Sequence, residues 1–194
     1  MDKTRIHAYQ NELLIGIDKL NRDIIEEAAQ AIFEAWQSKA FVWIFGNGGS
    51  ASTAEHFACD LSKWTIVYPQ TGVRAMALTS HPLVTAFAND ENYDKVFIRQ
   101  LDRVIDIGDV AIGISCSGRS ANVLAALSHA RERGNTTIAL TGNDKNVPIL
   151  ENADFAIHAS CLDIRQQEDV HLIVAHMIVG LVKDKIQKCH DTTD

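Results

Sequence analysis

The spacing of apolar residues changes partway along the chain. Over residues 4–38, Leu13, Ile17, Leu20, Ile24, Ala28, Ala31 and Ala35 recur at helical spacing. Asn21 is a suitable N-cap, and it would split the stretch into two helices. Two long helices ahead of the first strand carry more apolar surface than one sheet face covers, so some of it is expected to pack between subunits. From residue 41 the pattern becomes short continuous apolar runs: FVWIFG (41–46), RAMALT (74–79), DVAIGIS (109–115), TTIALTG (136–142) and FAIHAS (155–160). Strands buried on both faces look like this. Helical stretches separate most of them, at 51–63, at 81–105 with a break near Asn89, and at 119–133, with a short turn or helix near 146–151. The last helix, 165–187, turns Val170, Ile173, Val174, Met177, Ile178, Leu181 and Val182 inward. Strand and helix in alternation predict an α/β fold with a parallel sheet and right-handed crossovers. Ligands of such sheets sit beyond the carboxyl ends of the strands.

Two of those strand ends run into serine- and glycine-rich loops that open helices. The first is Gly46-Asn47-Gly48-Gly49-Ser50 and the second is Ser115-Cys116-Ser117-Gly118-Arg119-Ser120. Free backbone N–H groups and the helix dipole favour an anion there, and serine hydroxyls add donors that rotate to fit. Two such loops on neighbouring strands are expected to grip one phosphate from several sides, with Arg119 as a candidate extra charge. No Gly-Lys-Ser/Thr follows either loop and neither has GxGxxG spacing, so a sugar phosphate is favoured over a nucleotide.

Charged and imidazole groups follow the first loop and recur on the last helix. His56 and Asp60 are four apart and share a face. Glu168, Asp169, His171 and His176 cluster on the final helix. Asp169 and His176 lie nearly in line, and Glu168 is about 80° off that line. A histidine and a carboxylate from each of two helices suit a divalent metal or proton transfer as acid and base. His171, and His81 after the second strand, read equally well as satisfied core histidines. His7, His129, His158 and His190 stand apart, and Asp109, Arg131 and Arg133 read as plain surface.

Composition narrows the choice of function. The chain has 194 residues, 46% of them hydrophobic and 22% charged, enough for an ordinary globular core. A net charge of -7 argues against a nucleic-acid binder that relies on a basic surface. The polar start is unlike a signal peptide, and no apolar run reaches the length of a membrane span. Cys59, Cys116, Cys161 and Cys189 form no CxxC pair and read as thiols in a reducing cytoplasm.

Taken together, GNGGS, HFACDL, NDENYDKVF, GISCSGRSANV, LTGND and QEDVHLIVAH occur in the order found in the phosphoheptose isomerases of the sugar isomerase (SIS) domain superfamily, and the chain resembles that family over residues 5–188. The resemblance implies one SIS domain over residues 1–194, with N-terminal helices at 5–38 used in oligomer packing and an α/β core at 41–188. The implied fold is flavodoxin-like and three-layered, with a five-stranded parallel sheet. It implies a cytoplasmic homotetramer with active sites at subunit interfaces, and no nucleic-acid or membrane partner. The implied activity converts sedoheptulose 7-phosphate to D-glycero-D-manno-heptose 7-phosphate in heptose biosynthesis, or isomerises a closely related phosphosugar. Asn47, Gly48, Gly49, Ser50, Ser115, Cys116, Ser117 and Ser120 then correspond to the phosphate region. Asn89, Asp90 and Glu168 correspond to further substrate contacts. Asp60 corresponds to the base and His176 to the acid, and the family's zinc ligands map to His56, Asp60, Glu168 and His176.

The chain departs from the family at several of these positions. Cys59-Asp60 stands where a pair of glutamates is usual, so the base is one methylene shorter. Glu168-Asp169 stands where Gln-Glu is usual, and a one-residue shift would put Gln167 in the ligand position instead. Cys116 and Arg119 replace a common Thr and Asn. The rival reading is a SIS-domain protein without chemistry, one that associates with a replication initiator or senses a sugar phosphate. An acidic residue retained with two histidines favours the enzyme, because a binder does not need them.

Overall fold

The computed structural model describes residues 3–192. Helix α1 (Lys3–Asp18) ends one turn before α2 (Arg22–Ser38) begins. The break falls at Asn21, whose side-chain oxygen accepts the N–H groups of Asp23 and Ile24 at 3.1 and 3.4 Å and so caps α2. The chain then alternates. Strand β1 (Phe41–Gly46) leads to α3 (Gly49–Trp64), β2 (Arg74–Ala77) to α4 (His81–Asp90), and a 3₁₀ turn (Tyr93–Lys95) to α5 (Val96–Leu101). After these come β3 (Val110–Ser115), α6 (Ala121–Glu132), β4 (Thr136–Thr141), a second 3₁₀ turn (Pro148–Asn152), β5 (Phe155–His158) and the long α7 (Ile164–Asp191).

The five strands are all parallel, in the order β2-β1-β3-β4-β5. This is the flavodoxin-like order, and its crevice opens where the connections diverge, between the carboxyl ends of β1 and β3. One face of the sheet packs on α2, α3 and α7 through residues such as Ile32, Phe57, Leu61, Val174 and Ile178. The other packs on α5 and α6 through Phe97, Leu101, Val123 and Leu127. The molecule is therefore a three-layer sandwich with a core on each side of the sheet.

Burial on both faces holds for β1, β3 and β4, which are buried nearly end to end. It fails for β2 and β5. These are the sheet edges: Arg74 and Met76 of β2 are exposed, and in β5 only Ile157 is fully buried. Met177, expected to face inward, is 40% exposed and borders a groove between α1, α2 and α7. Asp109 is not surface. It is 3% exposed, and its carboxylate accepts N–H groups from Phe41 (2.7 Å), the Trp43 indole (2.8 Å) and Asp106 (3.0 Å), which joins the start of β1 to the start of β3. Among the described residues no helix is long and apolar enough to cross a membrane.

Candidate active site

Gly46 ends β1 opposite Ile114, the penultimate residue of β3, so the two serine loops leave the sheet at the same level. A Cβ on Gly46 would lie 2.8 Å from both the Ile114 carbonyl oxygen and Ser50 Cβ, so only glycine lets α3 start this close to the neighbouring strand. In the second loop Gly118 takes φ +62. Ser120 stands at the N-cap of α6, but its hydroxyl does not cap the helix. Ser120 Oγ lies 3.0 Å from Ser115 Oγ, and Ser115 Oγ lies 3.4 Å from Ser117 Oγ, whose oxygen also accepts the Arg119 N–H at 3.2 Å. Three hydroxyls thus cluster at the start of α6, where the dipole favours an anion. The Arg119 guanidinium is engaged elsewhere, by Asp144 at 2.9 Å and the Asn146 carbonyl at 3.0 Å.

The first loop is tied to the first turn of α6. The side-chain amides of Asn47 and Asn122 form a reciprocal pair, each donating to the other at 2.9 Å, and the Tyr93 hydroxyl donates to Asn47 Oδ1 at 2.8 Å. The Cys116 thiol has its pKa pushed up to about 11 by burial and then by the charge of Glu168, with Ser50 opposing. Cys116 therefore stays a protonated thiol at neutral pH. None of the four cysteines is in a disulfide.

Two to three turns along α3, the acid–base groups meet. His56 Nε2 lies 3.3 Å from Asp60 Oδ2, His176 Nε2 lies 3.5 Å from the same oxygen, and the two imidazole nitrogens are 3.0 Å apart. Asp60 is 9% exposed, whereas about half of each histidine side chain is open. The shorter Asp60 carboxylate still reaches both rings.

These three atoms could hold a metal ion. In a tetrahedral zinc site with bonds of about 2.0–2.1 Å, neighbouring ligand atoms stand about 3.3 Å apart. The triangle of 3.0, 3.3 and 3.5 Å matches that edge. Without a cation, the nitrogen–nitrogen contact needs one ring protonated at Nε2 and the other bare, whereas a divalent ion would take a lone pair from all three atoms. The donor set fits the group, and a fourth position is left over.

Glu168 is not part of the triangle. Its carboxylate lies over Gly49 at the start of α3, so close that a Cβ there would be 2.3 Å from Glu168 Oε1. Gln167 does not join it either, since its side-chain nitrogen donates to the Cys161 carbonyl at 2.8 Å. Asp169 accepts the Tyr9 hydroxyl at 2.5 Å, which docks α1 on α7. His171 is a core histidine, 1% exposed, with Nε2 3.0 Å from the Thr141 carbonyl and Nδ1 3.9 Å from Cys116 Sγ. Burial drives its pKa down to about 4.

Asn89 and Asp90 close α4, both exposed and bonded to each other at 3.0 Å. His81 is exposed and not a core residue. With Asn47, Gly48, Thr79 and Tyr93 it lines a cleft of about 160 Å³ beside the first loop. His129, His158 and His190 have partners in Asp102 and the Gly142 and Tyr68 carbonyls. Tyr93 and Asn122 escaped the sequence reading, although both fall inside its motifs, because spacing does not reveal an amide pair between loop and helix.

Three-layer order, serine loops and the paired histidines define a sugar isomerase fold, and the chain belongs to the SIS domain family, whose model matches residues 7–142. Within it, the chain belongs with the phosphoheptose isomerases. It is 34% identical to the phosphoheptose isomerase of Thermodesulfovibrio yellowstonii over 84% of this chain and 81% of that one. It is 39% identical to that of Mycobacterium tuberculosis over 82% and 83%. The solved phosphoheptose isomerase of Neisseria gonorrhoeae superposes with a TM-score of 0.86 at 28% identity, covering 95% of this chain and all of that one.

Proposed function

We propose that this protein interconverts sedoheptulose 7-phosphate and D-glycero-D-manno-heptose 7-phosphate, with the serine loops as phosphate cradle and the Asp60–His176 pair as proton carriers. The chain is a phosphosugar isomerase; the seven-carbon substrate is the specific part of the proposal, carried over from the names of its relatives. The observation that carries the chemistry is the convergence of His56, Asp60 and His176 from two helices within 3.5 Å.

Two contacts between α3 and α7 set the scale of the site. Glu168 meets Gly49, and His176 meets His56, so the helices run side by side in the same direction. Seven to eight residues separate the contacts, about 11 Å along a helix axis. A phosphorylated sugar held by Ser115, Ser117 and Ser120 would span that distance and bring its carbonyl end to Asp60. Fixing the remote phosphate spends binding energy on positioning the reacting carbons.

In the ketose-to-aldose direction, a carboxylate oxygen of Asp60 removes a proton from C1. The C1–H electrons form the C1=C2 bond, and the C2 carbonyl oxygen takes a proton from His176, giving an enediol. His176 then recovers a proton from the C1 hydroxyl as the C1 carbonyl forms, and Asp60 returns its proton to C2. Asp60 has two oxygens to divide between roles: Oδ2 faces both imidazoles, which leaves Oδ1 for carbon. A Zn²⁺ on His56, Asp60 and His176 would supply Lewis-acid polarisation of the carbonyl, and Glu168 would have to swing from Gly49 to become a fourth ligand. Exposed Ile6, Leu14 and Ile15 on α1 support the homotetramer, which light scattering would report as four copies.

The test is to incubate the protein with sedoheptulose 7-phosphate and follow the aldose by NMR. Turnover that falls at least about 100-fold in Asp60→Ala, with the fold intact by circular dichroism, is the expected result. Tight binding of the sugar phosphate without turnover would overturn the reading in favour of a sensor.

A further inference from the structure

We propose that Tyr93 and Asn122 are positioning residues that set the direction of the Asn47 side-chain amide and tie the first loop to the first turn of α6, the helix that the second loop opens. The Val123 N–H can only donate; it is shared between the Ser120 carbonyl at 3.0 Å and Asn122 Oδ1 at 2.9 Å, where an amide nitrogen would set donor against donor. That fixes which end of the Asn122 amide is oxygen. Asn122 Nδ2 must then be the donor to Asn47, so the atom it meets at 2.9 Å is Asn47 Oδ1. The Tyr93 hydroxyl, 2.8 Å from that same oxygen, must give its proton to it. Asn47 Nδ2 in turn gives one proton to Asn122 Oδ1 at 2.9 Å.

The result is a fully assigned amide. Both lone pairs of Asn47 Oδ1 are occupied, and one N–H of Nδ2 is left for a ligand. Asn47 is therefore held as a hydrogen-bond donor, suited to a sugar oxygen and unsuited to a second donor. Asn122 is 2% exposed and sits on α6, next to the serine hydroxyls, whereas Tyr93 is 52% exposed and sits three residues after Asp90. One network thus joins the first loop, the serine loop's helix and the segment that follows α4. Tyr93 and Asn122 act through Asn47 and need no contact with the sugar. The kinetic part of this inference rests on the proposed function; the amide assignment does not.

The test has two arms. In ligand-free, ¹⁵N-labelled protein, hydrogen exchange of the Asn47 side-chain amide should be several-fold faster in Tyr93→Phe than in wild type. With sedoheptulose 7-phosphate, Tyr93→Phe should raise KM by about 2- to 10-fold, the loss of one net hydrogen bond, with kcat within about twofold. In an Asn47→Ala background the same change should leave KM unmoved. Faster exchange with an unchanged KM would make the contact merely structural and overturn the proposal. So would a raised KM with unchanged exchange, or multiplied effects in the double variant. If wild type does not turn the sugar over, the functional reading fails by itself, and the exchange arm still decides whether Tyr93 anchors Asn47.

Discussion

Protonating His171 should loosen the joint between α7 and the second serine loop. The ring is 1% exposed, with Nε2 against the Thr141 carbonyl, and burial lowers its pKa from 6.5 to about 4. In the unfolded chain it titrates near 6.5. Between about pH 4 and 6.5 the unfolded chain therefore binds a proton that the native one refuses, and native stability falls as pH falls. The contribution is complete above about pH 6.5 and gone below about pH 4. The gap between those two values corresponds to about 3 kcal/mol. The assay is urea unfolding of wild type and His171→Gln at one protein concentration, from pH 7.5 to pH 4.5. Carboxylates titrate in both proteins and cancel in the difference. Wild type should be the more stable at pH 7.5, and most of its advantage should vanish by pH 4.5. A difference that does not change with pH would refute the reasoning, since it would mean that His171 is solvated or never neutral.

Two further outcomes follow from buried groups. Asp109→Ala strips an acceptor from three N–H donors, one of them the buried Trp43 indole, and should cost about 3 kcal/mol or more in urea unfolding; a loss under about 1 kcal/mol would mean that water replaces the carboxylate. Iodoacetamide at pH 8 should modify exposed Cys59 at least about tenfold faster than Cys116, whose thiol is held near 11. Peptide mass mapping reads the order directly, and Cys116 labelled first would contradict its burial.

The sequence was most legible where burial is symmetrical. Strands β1, β3 and β4 are covered on both faces, so nearly every position had to be apolar and the run stands out. The edge strands carry the same kind of residues, but their exposure depends on having one neighbour instead of two, which no local pattern records. The helix break at Asn21 was legible because capping is a local interaction. Asp109 was misread because its three donors come from three places, Phe41, Trp43 and Asp106, and a lone carboxylate at a strand start looks the same whether or not they converge on it.

For the site, the sequence by itself determined the chemistry on each element: glycine and serine after two strands, and His56 with Asp60 one turn apart on a single helix face. Backbone periodicity settles those relations within a few residues, whatever the rest of the chain does. Only the tertiary structure decided which groups meet. Packing α7 beside α3 brought His176 to Asp60 and left Glu168 eight residues back, about 80° around and 12 Å along the helix, over Gly49 instead. It also brought Tyr93 and Asn122 to the same oxygen of Asn47. A side chain's partner across the crevice is set by the registry of whole elements, and that registry is fixed by the shared core on which they pack, not by the residues that end up touching.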